Sequence, residues 1–309
     1  MNGLQDVHLL DVTLRDGGYR NNFGFDLEYI LDHARLMEEA GIDFIEIGYR
    51  NGSIVNNDRM GLTAYTQNEY IQTLSRALPK IKLAVIVHAA NIADQDVIDM
   101  VDNGVALIRF CANEKTAAET TRLARIARER GASTTINLTR VSSIGREQLQ
   151  RLVRQINDGG AFDVLYCADS NGSLTPDQVT DIYGCINRQK RSFELGFHAH
   201  DNLGQAMANS IAAIKSGVTF IDASLLGMGK GIGNLRLEKW IAYLAKCDGC
   251  RYSLMPVLNA VERLRHSSGY VANEDDYNVD IISGLKNLSF VERDQALDLW
   301  QAAKLQWAV

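Results

Sequence analysis

Two histidines two positions apart, His198 and His200, close the apolar run 193–199 and lead into Asp201-Asn202-Leu203-Gly204. In an extended strand the side chains at i and i+2 share a face, so both imidazoles project together while Ala199 turns away. Two imidazoles on one face make half of a metal site. Far upstream, the apolar run 9–14 ends in Arg15-Asp16-Gly17-Gly18, where a carboxylate stands ready to complete it. A lone H-x-H is a weak signal, because solvated histidines also end strands. What distinguishes this pair is that His198, His200 and Asp16 all sit at the C-terminal ends of candidate buried strands, the end at which alternating strand–helix barrels do their chemistry.

The elements that must position these side chains follow from the alternation of short apolar runs with longer stretches of helical spacing. Strands are predicted over 8–13, 42–48, 81–87, 105–110, 134–138, 162–167, 193–199 and 218–224. Helices are predicted over 26–40, 65–78, 94–102, 115–130, 146–157, 205–216 and 235–245, with one more opened by Thr175-Pro176, where proline's missing N–H costs nothing. Gly41, Gly131 and Gly217 stop their helices as C-terminal glycines do. Eight such units match a (β/α)8 TIM barrel of the α/β class in count and length. A doubly wound sheet shows the same alternation, but Arg15-Asp16-Gly17-Gly18-Tyr19 after the first strand is no G-x-G-x-x-G. Beyond Gly249 the alternation stops. Residues 1–251 are read as the barrel and 252–309 as a helical C-terminal extension, with helices over 255–267 and 293–307, able to cap the barrel, form a dimer contact or dock a partner.

Composition narrows the function classes. The 309 residues are 46% apolar, carry a net charge of -6 and contain only three prolines. That suffices for a large core and argues against a nucleic-acid surface. Five cysteines are an odd, scattered set, read as reduced thiols; Cys247-Asp248-Gly249-Cys250 has C-x-x-C spacing without a second pair to complete a zinc site. The N-terminus shows no basic stretch followed by an apolar one, and no run approaches the roughly 18 apolar residues of a membrane span. A soluble, cytoplasmic protein is expected.

On a closed ring, strand ends one, seven and eight are neighbours, which brings together Asp16, the two histidines and the loop Gly227-Met228-Gly229-Lys230-Gly231-Ile232-Gly233-Asn234. That loop either cradles a phosphate or makes a tight turn, and Asn234 either caps the next helix or offers its carbonyl oxygen to the metal. Arg15 is adjacent to Asp16 on a different heading by strand alternation; a cation there suits an enolate oxygen. Tyr19, beside that cation, is either a phenol acidic enough for proton transfer or a stacking wall. Glu46 ends the second strand, facing the barrel mouth or held in a structural hydrogen bond. Arg50 and Arg109 are anion-binding candidates for the second substrate, and His88, ending the third strand, is a substrate contact candidate.

Three segments in order, Asp11-Val12-Thr13-Leu14-Arg15-Asp16-Gly17, Phe197-His198-Ala199-His200-Asp201-Asn202-Leu203-Gly204 and 222–234, resemble the signature of the DRE-TIM metallolyase superfamily. Within it they most resemble the 4-hydroxy-2-oxovalerate aldolase branch, beside 3-hydroxy-3-methylglutaryl-CoA lyase and 2-isopropylmalate synthase. The resemblance covers residues 8–246. It implies that Asp16, His198, His200 and Asn234 hold a divalent cation, Mn2+ or Mg2+ before Co2+ or Zn2+. It also implies that Arg15 steadies the enolate oxygen and that Ser170 contacts the keto-acid carboxylate. The activity implied is cleavage or formation of the C3–C4 bond of a 4-hydroxy-2-oxo acid, with a 2-oxo acid and an aldehyde as partners.

The chain departs from the pattern at three points. Tyr19 stands where the pyruvate aldolases place a histidine base, and Lys230 lies where acyl-CoA lyases carry a cysteine. The extension is shorter than expected of an aldolase that channels aldehyde to a partner dehydrogenase, which argues against obligatory channelling. A homo-oligomer, as a dimer, is expected. Two alternatives remain: a Claisen-type acyl-CoA synthase or lyase on the same barrel, and a non-catalytic subunit.

Overall fold

The computed structural model describes residues 6–53, 59–160, 162–189, 192–247, 250–272 and 277–307, without the side chains of 303–307. Residues 1–5, and Asp248 and Gly249 inside the C-x-x-C, lie outside the described residues. The strands are β1 (His8–Asp11), β2 (Phe44–Tyr49), β3 (Lys82–His88), β4 (Val105–Ala112), β5 (Ser133–Leu138), β6 (Val164–Asp169), β7 (Glu194–Ala199) and β8 (Phe220–Ala223). A single turn, α1 (Thr13–Asp16), follows β1; the barrel helices are then α2 (Leu27–Ala40), α3 (Asn68–Ala77), α4 (Asp94–Asp102), α5 (Ala117–Glu129), α6 (Arg146–Gly159), α7 (Pro176–Asn187), α8 (Ala206–Lys215) and α9 (Leu237–Lys246). The C-terminal helices are α10 (Leu254–His266), α11 (Tyr277–Leu285) and α12 (Arg293–Trp307). Every neighbouring strand pair is parallel, and β8 pairs with β1 to close the ring. The chain is therefore a (β/α)8 barrel with C-terminal helices, as the alternation predicts.

The strand interiors are buried on both faces, which parallel strands sheathed in helices require. Inward positions recur every second residue and stack in layers. Leu10, Phe44, Leu107, Val164 and Phe220 fill the bottom with apolar side chains. Two residues further along their strands, Glu46, Arg109, Tyr166 and Asp222 form a second layer, all within 1% of full burial. One more step brings His88, Cys111, Ala168 and the two histidines to the mouth. The helix ends behave as expected where glycine supplies the left-handed turn: Gly41 caps α2 at φ 78°.

The first strand ends earlier than the apolar run suggests. Asp11 turns its carboxylate back on the chain and accepts hydrogen bonds from the Thr13 amide at 3.2 Å and from the Thr13 hydroxyl. Local side-chain bonds of this kind compete with a ladder and start a turn. The Thr13 hydroxyl oxygen also accepts from the Leu225 amide at 2.9 Å, tying that turn to the loop after β8.

The C-terminal chain crosses the barrel mouth. Asn202 Nδ2 donates to the Asp280 carbonyl at 3.0 Å, and Asn287 Oδ1 accepts from Ser142 Oγ, Asn171 Nδ2 and Ser173 Oγ at 2.8, 2.7 and 2.9 Å. Capping, one of the three roles open to the extension, is thus visible. Helix α11 was not expected. Its buried face is Val279, Asp280, Ser283 and Gly284, too small and polar to give an apolar period. No helix among the described residues is long and apolar enough to cross a membrane.

Candidate active site

At the C-terminal mouth a cavity of about 120 Å³ is lined by Arg15, Asp16, Tyr19, Tyr49, His88, Ser170, His198, His200 and Lys230, among others. The strand period brings His198 and His200 to it from β7, as their spacing predicts. Asp16 arrives from the one-turn helix α1 instead of a strand end, and it meets them: one ligand atom from each of the three lies within 4.8 Å of the others. All three side chains are buried.

The second nitrogen of each imidazole is occupied. His198 Nδ1 is 3.0 Å from Asp222 Oδ2, and His200 Nδ1 is 3.2 Å from the Gly233 carbonyl. Both partners are acceptors, so each ring carries its proton on Nδ1 and presents a lone pair at Nε2. The two Nε2 atoms are 3.3 Å apart and His200 Nε2 is 3.8 Å from Asp16 Oδ2. Lone pairs and a carboxylate converging at this range repel one another unless a cation sits among them. Asn234 adds a second observation: its Nδ2 donates to Asp16 Oδ2 at 2.8 Å while its buried Oδ1 has no hydrogen-bond partner. The residues present fit a divalent cation. Asn234 does not cap the next helix; α9 starts at Leu237 with no side-chain cap, and the Asn234 amide closes the glycine-rich loop on Gly227 at 2.8 Å. Gly229 is required there, because a Cβ would stand 2.4 Å from Asn234 Nδ2 and 2.8 Å from Asp16 Oδ2.

Electrostatics favour the ligand states. Burial opposes ionisation of Asp16, but Arg15, the two imidazoles and the Asn234 amide outweigh it and hold the carboxyl well below its usual range. Burial, only partly offset by Asp16, pushes His200 down to about 3, so it is neutral at physiological pH.

Arg15 reaches the cavity too: strand alternation gives it a separate heading unless the chain twists after β1, and it does. Because α1 is helical, Arg15 Nη1 bonds Asp16 Oδ1 and its Nε bonds Glu46 Oε2. Burial works against its charge, and Glu46 and Asp16 more than compensate. Tyr19 also lines the cavity, its hydroxyl 3.0 Å from that of Tyr49. Of the two readings open for Tyr19, the acidic phenol is disfavoured by its surroundings: burial raises its pKa, and hydrogen bonds with Tyr49 and Ser53 offset only part of that. Its ring does form a wall, with centroids 5.2 Å from Phe23 and 6.3 Å from Phe290.

Ser170 lies in the cavity, its Oγ accepting from the Arg140 amide at 2.9 Å. His88 lines it as well, stacked on Tyr49 at 5.7 Å, and burial pushes its pKa down to about 4.

Glu46, Arg109 and Arg50 do not reach the cavity. Arg109, fully buried over the Tyr166 ring, donates to Glu46 Oε1 at 2.8 Å and to Asp222 Oδ2 at 2.7 Å. Glu46 spans Arg109 and Arg15. These residues form a charged floor beneath the ligands instead of touching substrate. Arg50 is spent on Asp96 at 3.0 Å, Asn68 at 2.9 Å and the Thr66 carbonyl at 2.8 Å. Cys247 and Cys250 are free thiols. Sequence reasoning missed the orienting role of Asp222, although a carboxylate two residues beyond inward Phe220 on an apolar strand is a usable signal. It also missed Tyr49 and Arg140 as lining groups, for which no local pattern speaks.

A parallel barrel that gathers two histidines, a carboxylate and an arginine at its C-terminal mouth defines a carbon–carbon lyase of the DRE-TIM type. The HMGL-like family pattern matches residues 6–254, and the chain belongs to that family. Among curated relatives, the 4-hydroxy-2-oxovalerate aldolase of Pelotomaculum thermopropionicum is 31% identical over 246 residues, covering 80% of this chain and 72% of that protein. The aldolase of the same name from Stutzerimonas stutzeri is 32% identical over 240 residues, covering 77% and 69%. In structure, the N-terminal domain of a Bacteroides vulgatus protein assigned as an aldolase superposes with a TM-score of 0.81 at 26% identity, over 98% of this chain and 100% of that one. The HMG-CoA lyase of Bacillus subtilis shares the fold, with a TM-score of 0.72 at 18% identity over 89% and 98%.

Proposed function

We propose that this protein is a divalent-metal-dependent aldolase that makes or breaks the C3–C4 bond of a 4-hydroxy-2-oxo acid, the products of cleavage being pyruvate and an aldehyde. The observation that carries the reading is the buried set Asp16, His198 and His200 with Arg15 against it. Asp16, His198, His200 and Asn234 Oδ1 would hold the cation, Mn2+ or Mg2+ suiting the oxygen and imidazole set. When bound, it supplies Lewis-acid polarisation of the 2-oxo group.

The chain's own residues do the rest. Arg15, fixed by Glu46, holds its charge beside the oxygen on which enolate charge develops; a positioned donor counts most where charge appears only in the transition state. Ser170 Oγ, held by the Arg140 amide, orients the carboxylate in this reading. Tyr19, kept protonated by its burial, gives its proton to the aldehyde oxygen as the C3–C4 bond forms, leaving the 4-hydroxyl. Tyr49, 3.0 Å behind it, returns a proton to Tyr19 in carboligation and takes it on in cleavage. Phe23, 1% exposed, packs edge-on against both tyrosine rings and closes this side of the cavity.

The test is proton NMR of pyruvate in D₂O with the Mn2+-loaded protein, with and without EDTA. Loss of the methyl signal that EDTA abolishes supports the reading. No exchange with metal present overturns it.

A further inference from the structure

The cavity holds more positive charge than one 2-oxo acid carboxylate uses. Asp16 is the one acid among its lining residues, and it already faces Arg15 and the two histidines. Lys230, from the glycine-rich loop after β8, lines the same cavity. Its ammonium lies 5.0 Å from the Phe290 ring centroid, and among the described residues it meets no carboxylate at ion-pair distance. Arg140, after β5, shares the lining and among the described residues pairs only with Glu292, at 3.3 Å and with both side chains about half exposed at 45% and 39%. A pair so exposed contributes little and is readily exchanged for a better anion. Lys230 is partly buried in the cavity wall and stands against an aromatic ring, where attraction for an incoming anion is stronger than at the open surface.

We propose that Lys230, with Arg140 beside it, determines specificity for an aldehyde that carries its own oxyanion, a carboxylate or a phosphate, at the end remote from the carbonyl. The proposal rests on the aldolase reading above. The reaction is unchanged in balance. Pyruvate C3 loses a proton and bonds to the aldehyde carbon, the aldehyde oxygen gains a proton to become the 4-hydroxyl, and the remote anion takes no part beyond binding.

The experiment pairs charged and neutral aldehydes of similar carbon skeleton, glyceraldehyde 3-phosphate with glyceraldehyde and succinic semialdehyde with butanal. Each is titrated calorimetrically into the Mn2+-loaded protein, and kcat/KM for carboligation with pyruvate is measured in parallel. The expected result is a preference of about tenfold or more for one charged aldehyde over its neutral counterpart, about the strength of one good charge-assisted contact. The phosphate and carboxylate arms tell the two anions apart. In Lys230→Met the charged-to-neutral ratio should fall towards one, and Lys230→Arg should restore it, which separates loss of charge from loss of fold. Equal binding of charged and neutral aldehydes, or a preference that survives in Lys230→Met, overturns the proposal. The pyruvate exchange test fails or succeeds without any aldehyde present, so failure of the aldolase reading is recognised separately.

Discussion

Asp222→Asn probes the link between the charged floor and the ligands. Asp222 Oδ2 accepts from Arg109 Nη2 at 2.7 Å and from His198 Nδ1 at 3.0 Å, in a position 1% exposed. Asparagine keeps the shape and its carbonyl oxygen, set where Oδ2 stands, accepts both bonds, but as a neutral acceptor without the carboxylate charge. His198 then donates its Nδ1–H to a neutral oxygen instead of a carboxylate, which weakens the bond that orients the ring and lowers the basicity of Nε2. Outer partners of metal-binding histidines are worth about 10–100-fold in affinity, or about 1.4–2.7 kcal/mol. Arg109 also loses one of its two carboxylates while fully buried. Breaking a buried pair outright costs about 3–5 kcal/mol, and because Glu46 Oε1 stays at 2.8 Å the lower end is expected. Calorimetric titration of Mn2+ into the metal-free variant should therefore show the weakened affinity, and its metal-free melting temperature should fall by several degrees. Unchanged Mn2+ affinity would refute the reasoning, because it would mean that Asp222 serves packing alone.

Four other outcomes are expected. Arg15→Gln should slow pyruvate exchange by about 10²–10³-fold while Mn2+ still binds, and near-normal exchange would remove Arg15 from the chemistry. Gly229→Ala forces apart Asn234 and Asp16, at a cost of about 1–3 kcal/mol, and should weaken Mn2+ binding in the same titration. His88 is held neutral by burial first and Arg15 second, so that between 6.5 and about 4 the unfolded chain binds the extra proton and folding stability drops as the pH is lowered through that window. His88→Gln should therefore lose less stability than the wild type across that window, and parallel melts showing equal loss would contradict the shift. Asn287→Ala takes the acceptor from the Ser142 and Ser173 hydroxyls, partly open to water, while Asn171 Nδ2 keeps the backbone carbonyl of residue 287 at 3.1 Å, and should cost about 1 kcal/mol; faster amide exchange over α11 is the readout.

The amino-acid order alone determined much of this molecule, because much of it is local. Alternation of apolar runs with helical spacing, glycine at helix ends and the count of eight units specify the barrel without knowledge of any long-range contact. The i, i+2 rule places His198 and His200 on one face, and ring closure makes Asp16 and the loop ending at Asn234 their neighbours. Where side chains choose partners across the ring, local pattern is silent. Glu46 and Asp222 stand 63 and 113 residues from Arg109, and only the closed barrel shows that the arginine is consumed by them and not offered to substrate. The same holds for Tyr19, whose residue type permits proton transfer in either sense but whose pKa is set by burial beneath a C-terminal segment arriving some 270 residues later, at Phe290. Helix α11 escaped notice because its buried face is polar and small. Backbone periodicity is written in neighbouring residues, whereas the charge, solvation and reach of a side chain depend on everything the folded chain brings around it, and that is decided only in three dimensions.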